Sequence, residues 1–226
     1  MKRVVLSAMV LSLMFVFCGA AGAVTYKPVL NFTDWTDDPW GDGIPVSLTP
    51  KGSTVVVKAD GSGGETWGGI YKKAKGALGM MATINVSRAV TESNGGNVQV
   101  GIMNSLGRIK GQRIQARIYV NQWSGQTSIR WEVRQKNDTT GATTTLAVGL
   151  LGGWSEAWKT GKDVTVSFRR VGNEIWFNVK GVPSTVKWQP TAPMTALDWS
   201  PEIYGYAPNG QNEITAAVKK VSVIYP

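Results

Sequence analysis

Between Ser128 and Lys136 apolar and polar residues alternate without a break, with Ile129, Trp131 and Val133 on one side and Arg130, Glu132 and Arg134 on the other. Successive side chains of a strand point to opposite faces, so this run predicts a β-strand with one dry and one charged face. The same period, or a short β-branched run bounded by turn residues, predicts strands over residues 54–59, 68–72, 80–86, 97–103, 113–122, 127–135, 144–151, 163–170, 174–179, 202–206 and 216–224. Gly172-Asn173 is a tight-hairpin signal, because both residue types tolerate positive φ. Asn137-Asp138 with Gly141, and Asn209-Gly210, mark further turns, and residues 61–64 read as a flexible tip. No segment keeps a helical period for more than a turn or two. The expected fold class is all-β, an antiparallel two-sheet β-sandwich.

The alternation also assigns faces. Ile114, Ala116, Ile118, Val120, Ile129, Trp131, Val133, Val164, Val166, Phe168, Ile175, Phe177 and Val179 form the expected core. Opposite them stand Gln115, Arg117 and Tyr119, then Arg130, Glu132 and Arg134, and from a later hairpin Arg169 and Trp176. If these strands share a sheet, its outer face is rich in arginine, amides and rings, and these eight residues are the candidate ligand-binding set. Arginine forks and amide donors beside aromatic rings suit carboxylates, sulfates and sugars. The plainer alternative is a solvated face whose charges keep the sheet soluble.

Composition narrows the chemistry. Lys2 and Arg3, a short apolar run and Ala21-Gly22-Ala23 read as a secretory signal peptide over residues 1–23. Residues 24–226 are then expected to form a single β-sandwich domain with no transmembrane segment, secreted or held in a periplasm or at a cell surface, and bacterial in character. The single cysteine, Cys18, falls in the leading segment, so neither a disulfide nor a cysteine nucleophile is expected in the domain. The chain has no histidine, which excludes histidine-based triads and histidine-ligated zinc. A formal net charge of +9 favours acidic polysaccharide or another anionic surface, while no run of Lys or Arg exceeds two residues, so a dedicated nucleic-acid site is not expected.

Asp34, Asp37, Asp38 and Asp42 crowd into one short stretch with Trp35 and Trp40. Calcium takes carboxylate and carbonyl oxygens from such irregular segments, so these four are a possible calcium site; otherwise they form an acidic turn. No other cofactor is expected. Of the 10 tryptophans, Trp123, Trp154, Trp158 and Trp188 fall near turns, where they could face a ligand or cover the core.

The hairpin of residues 164–181 runs from an apolar strand through Gly172-Asn173 into an aromatic strand with Trp176 and Phe177, ending at Gly181. It resembles the paired strands of concanavalin A-like lectin/glucanase domains, including laminin G-like modules. Residues 216–224 are similar to their last core strand, and Trp67-Gly68-Gly69-Ile70-Tyr71 to an early strand entry. The resemblance implies a jelly-roll of two stacked sheets with glycan ligands in a concave face or edge loops. The glucanases of that family carry a Glu-x-Asp-x-(x)-Glu run on one strand, and this chain has none. Glu132 is flanked on its own face by Arg130 and Arg134, which should keep it ionised, whereas a general acid needs the reverse. The expected function is therefore a secreted, non-enzymatic binder of carbohydrate or anionic polymer, lectin-like, with no catalytic residue assigned. The alternatives are a structural or assembly subunit of a cell-surface complex, acting through self-association or a partner, and lastly a glycoside hydrolase.

Overall fold

Alternating strands with one apolar face bury it only by stacking against a second such sheet. The computed structural model, which describes residues 23–39, 44–93, 95–151, 158–195 and 200–226, shows this arrangement. Residues 1–22, nearly all of the expected signal peptide, lie outside the described residues, as do Trp40, Asp42 and Trp154. The strands are β1 (Thr25–Pro28), β2 (Thr36–Pro39), β3 (Ser47–Lys51), β4 (Thr54–Asp60), β5 (Thr66–Tyr71), β6 (Gly79–Val90), β7 (Asn97–Ile109), β8 (Gln112–Trp123), β9 (Gln126–Lys136), β10 (Thr143–Leu150), β11 (Asp163–Val171), β12 (Glu174–Val179), β13 (Val186–Trp188), β14 (Glu202–Ala207) and β15 (Glu213–Tyr225).

One sheet has the order β13-β12-β11-β6-β15-β4-β3, with β1 also paired to β15; the other has the order β10-β9-β8-β7-β14-β5-β2. Every ladder between these strands is antiparallel. The fold is an all-β jelly-roll sandwich, as expected. Every expected strand is present, most of them a residue or more longer than the alternation alone indicated.

Val55, Val57, Ile84, Phe168 and Phe177 of the first sheet meet Ile102, Ile118, Val120, Val133 and Ile203 of the second in one buried cluster. Fully burying each such side chain stabilises by about 1.5–3 kcal/mol before conformational entropy is charged against it. All the expected core residues are buried except Trp131 and Val164, which pack against the cluster from partly buried positions. Trp131 meets Phe177 with ring centroids 5.1 Å apart, and Gly149 leaves the room, since a Cβ there would lie 2.6 Å from the indole nitrogen.

Two local expectations change. Residues 61–63 are a 3₁₀ turn rather than a loose tip: Asp60 caps it by accepting from the Ser62 N–H, and Gly61 donates its own N–H to Asn212. Among its described residues the acidic stretch is a turn only at Asp34, because Thr36–Pro39 pairs with β5 as an edge strand.

Candidate functional site

The Arg134 side chain on β9 reaches the ring of Trp67 on β5, four strands away, so the second sheet curls over its outer face and makes it concave. The register fixes what shares that face. One cross-strand row reads Glu132, Arg117, Met103, Glu202 and Tyr71 across β9, β8, β7, β14 and β5. The next reads Arg130, Tyr119, Gly101, Tyr204 and Gly69. Glycine at 101 lets the flanking rings close over the floor, with Tyr119 and Tyr204 meeting edge to face at 6.5 Å. A Cβ on Gly101 would lie 2.5 Å from that of Tyr119. Likewise the side chain of Glu202 leans over Gly69, where an added Cβ would come within 2.7 Å of its Oε1.

Arg117 is the centre of the face. It is 4% exposed and donates from Nε (2.8 Å) and Nη2 (2.5 Å) to Oε2 of Glu132. Its Nη1 faces Gln99 Oε1 at 3.4 Å and the Tyr204 hydroxyl at 3.5 Å. The rings of Tyr119, Trp67 and Tyr204 surround the guanidinium at 4.8, 5.7 and 5.7 Å. The other oxygen of Glu132 accepts from Arg134 Nε (2.5 Å) and Thr145 Oγ1 (2.8 Å). Every polar contact of the pair is thus met in place, as a buried charge requires.

Electrostatics follow from that packing. Burial works to raise the Glu132 pKa, but the charges and hydrogen bonds of Arg117 and Arg134 outweigh it and hold the carboxyl below its ordinary value. Burial raises the Tyr119 and Tyr204 hydroxyls despite the nearby arginines. Tyr206 is pushed up to about 12 by burial, with help from the Glu65 charge.

The expected site divides between the sheets. Gln115, Arg117, Tyr119, Arg130, Glu132 and Arg134 share the concave face, but Arg169 and Trp176 stand on the other sheet. There the Trp176 ring lies between Arg169 (5.5 Å) and Lys187 (4.3 Å), and its Nε1 donates to Glu174. Alternation within a strand reveals its two faces but not the sheet it joins. Nor is the concave face a solvated surface: Gln115, Arg117, Tyr119 and Glu132 are all buried on it. Sequence reasoning missed Trp67, Gln99, Glu202 and Tyr204. The signal was present for β14, where Ile203 turns inward between Glu202 and Tyr204.

The acidic stretch also separates. Asp34 forms an ion pair with Lys72, while on β2 Asp38 pairs with Gly69 and so joins the row of Tyr204, with Asp37 turned the other way. Both line an edge cleft of about 320 Å³ with Pro45, Val46, Leu48, Gly68 and Gly69. Among the described residues no three carboxylates gather around a common point. Of the turn-associated tryptophans, Trp158 is buried and donates to the Asn121 carbonyl, Trp188 is partly buried, and Trp123 is 45% exposed at the β8–β9 turn. Among the described residues no helix is long and apolar enough to cross a membrane.

No protein-family sequence profile matches this chain, and no curated protein does. Solved structures do match. A prokaryotic β-1,3-1,4-glucanase (lichenase) from a mouse hindgut metagenome superposes with a TM-score of 0.57 at 11% identity, over 88% of this chain and 98% of that one. A family 16 glycoside hydrolase endo-glucanase from Bacteroides ovatus gives a TM-score of 0.54 at 13% identity, over 84% and 94%. The CBM2 module of the evolved Dit protein of Lactobacillus casei phage J-1 gives 0.57 at 10% identity, over 89% and 96%. The fold is therefore that of the concanavalin A-like jelly-rolls. The comparison also corrects the expected function. The similar structures are mostly glycoside hydrolases, which favours the hydrolase alternative over a non-enzymatic binder.

Proposed function

We propose that this chain is a secreted or cell-surface glycoside hydrolase that takes its glycan across the concave sheet, with Glu132 and Glu202 as the hydrolytic carboxylates. The observation that carries this reading is the row Glu132, Arg117, Met103, Glu202, which sets two buried carboxylates on one concave face among aromatic rings. Glycoside hydrolysis needs one carboxyl group to protonate the leaving oxygen and a second, ionised one. Three strand spacings, roughly 14 Å between the two backbones, suit only the wider inverting arrangement, in which the ionised group acts as a base on a water held between them. Glu132, held ionised by Arg117 and Arg134, fits the second role. Glu202, 4% exposed on the same row, is the carboxylate left for the role of acid. Trp67, Tyr119, Tyr204 and Tyr206 supply rings for sugar stacking. The lichenase and endo-glucanase among the similar structures support a β-linked polysaccharide as substrate. In this chain the pair comes from two strands rather than from one Glu-x-Asp-x-(x)-Glu run.

The test is release of reducing ends from a panel of neutral and acidic polysaccharides by the purified protein and by Glu132→Gln and Glu202→Gln. Activity falling at least a hundredfold in each variant supports the assignment. No turnover on any polysaccharide, or turnover unchanged in both variants, overturns it.

A second reading, assembly through a sheet edge, is supported by β10. This edge strand leaves Leu146 40% and Val148 47% exposed, and an edge offers unpaired backbone groups to another chain. Concentration-dependent mass in light scattering checks it.

A further inference from the structure

We propose that Arg130 and Arg134 form a subsite for an anionic substituent of the glycan, a sugar carboxylate or sulfate, and that Trp67 covers this subsite in the free protein. The proposal rests on the hydrolase reading for the site's location, and its test separates the two.

Arg117, Arg130 and Arg134 share the concave face with Glu132 and Glu202. The arginines are not equivalent. Arg117 is enclosed, with two of its nitrogens on Glu132, the third facing Gln99 and Tyr204, and rings around it. It holds Glu132 and is not available to a ligand. Arg134 differs. Among the described residues its one hydrogen bond runs from Nε to Glu132, and its side chain keeps 17% of its surface exposed. Arg130 is half-buried and stands two residues from Glu132 on the other side, so the two arginines flank that carboxylate along the strand. Beside them on β10, Val148 faces Glu132 across the ladder and is 47% exposed, an apolar rim for the C–H face of a sugar.

Arg134 also faces the ring of Trp67, 5.8 Å from the guanidinium carbon. That is near the limit of an attractive cation–π distance, so the ring contributes little to holding the guanidinium. A carboxylate or sulfate offers the guanidinium paired, charge-assisted hydrogen bonds in its place. A neutral sugar offers nothing comparable. Charge on the substrate is thus read at Arg134, in competition with the Trp67 ring.

The experiment is calorimetric titration of the full protein with three β-linked probes at low and at physiological salt: a β-1,4-tetraglucuronate, its carboxyl-reduced neutral twin, and a sulfated β-galactan tetramer. The expected result is at least about tenfold tighter binding of one anionic probe than of the neutral one at low salt, shrinking as salt screens the charges. The preference should vanish in Arg130→Gln/Arg134→Gln, with the melting temperature as the check on folding, and should grow in Trp67→Ala. Preference for the uronate alone assigns a carboxylate, and for the galactan alone a sulfate. Equal binding of all three, no binding of either anion, or a preference that survives the double substitution overturns the proposal. Turnover of neutral glucans without anion preference removes this proposal and leaves the hydrolase. Anion preference without turnover of any polysaccharide does the opposite.

Discussion

Arg134 on β9 reaches the ring of Trp67 on β5, although β8, β7 and β14 lie between them in the sheet. Four strand spacings, with a six-residue offset along the strands, would separate their backbones by roughly 28 Å in a flat sheet. The 5.8 Å contact therefore requires a sheet curled strongly enough for long side chains to meet over its centre. Trp67 also stacks on Tyr204 (6.0 Å, 20°) and meets Tyr206 edge to face (4.7 Å, 66°), so it ties one flank of the groove to the other. Trp67→Ala should lose these contacts and cost about 2 kcal/mol, while Trp67→Phe keeps most of that. Urea unfolding of the two variants measures the difference.

Arg117 and Glu132 are a buried pair, with side chains 4% and 5% exposed. Removing one partner leaves an uncompensated charge under the aromatic rings. Arg117→Met should therefore cost about 3–5 kcal/mol, and Arg117→Met/Glu132→Leu far less than the two single changes together. A double-mutant cycle by chemical denaturation reads this directly. Additive costs would mean that the pair is not coupled.

The lowered pKa of Glu132 gives an acid signature of fixed sign. A carboxyl depressed in the folded state contributes stability that is fully present above its unfolded value, near the ordinary 4.5, and is lost as pH falls through the folded value. The melting-temperature gap between the protein and Glu132→Gln should thus be widest at neutral pH and narrow steadily below that value. Thermal scans across the range check it, and a gap that widens in acid refutes it.

Gly69 carries a steric prediction. A Cβ there would lie 2.4 Å from the Ile203 carbonyl oxygen and 2.7 Å from Glu202 Oε1. Gly69→Ala should cost about 1–3 kcal/mol through the backbone clash. It should also displace Glu202, so its turnover should fall in step with Glu202→Gln.

Asn212 clasps the loops at one end of the sandwich. It is 2% exposed, accepts from the Glu92 N–H through Oδ1 and donates to the Asn209 carbonyl through Nδ2. Asn212→Ala strands these buried groups and should lower stability by about 1–3 kcal/mol, visible as a drop in melting temperature.

Much of the fold was legible because alternation is a local property. Ile129, Trp131 and Val133 turn inward and Arg130, Glu132 and Arg134 turn outward whatever the rest of the chain does, since the pleat has a period of two. The bounds of Glu174–Val179 follow from the tight turn on one side and the glycine on the other. The short strands Thr25–Pro28, Thr36–Pro39, Ser47–Lys51 and Val186–Trp188 carry proline or too few apolar residues to show a period. They are strands because a neighbouring edge offers backbone partners, which is a fact of assembly rather than of local sequence.

Local pattern alone specified the longer strands, their two faces, the apolar set that had to be buried and the absence of histidine chemistry. The tertiary structure alone decided that β11 and β12 join the sheet opposite β8 and β9, which takes Arg169 and Trp176 away from Arg130 and Arg134. It alone decided that the polar face is concave and that its arginine–glutamate pair is buried, and it alone brought Trp67 and Glu202 to that face. The reason is physical. A strand's own residues specify which way each side chain points, whereas sheet order and curvature arise from hydrogen bonding and twist summed over many strands.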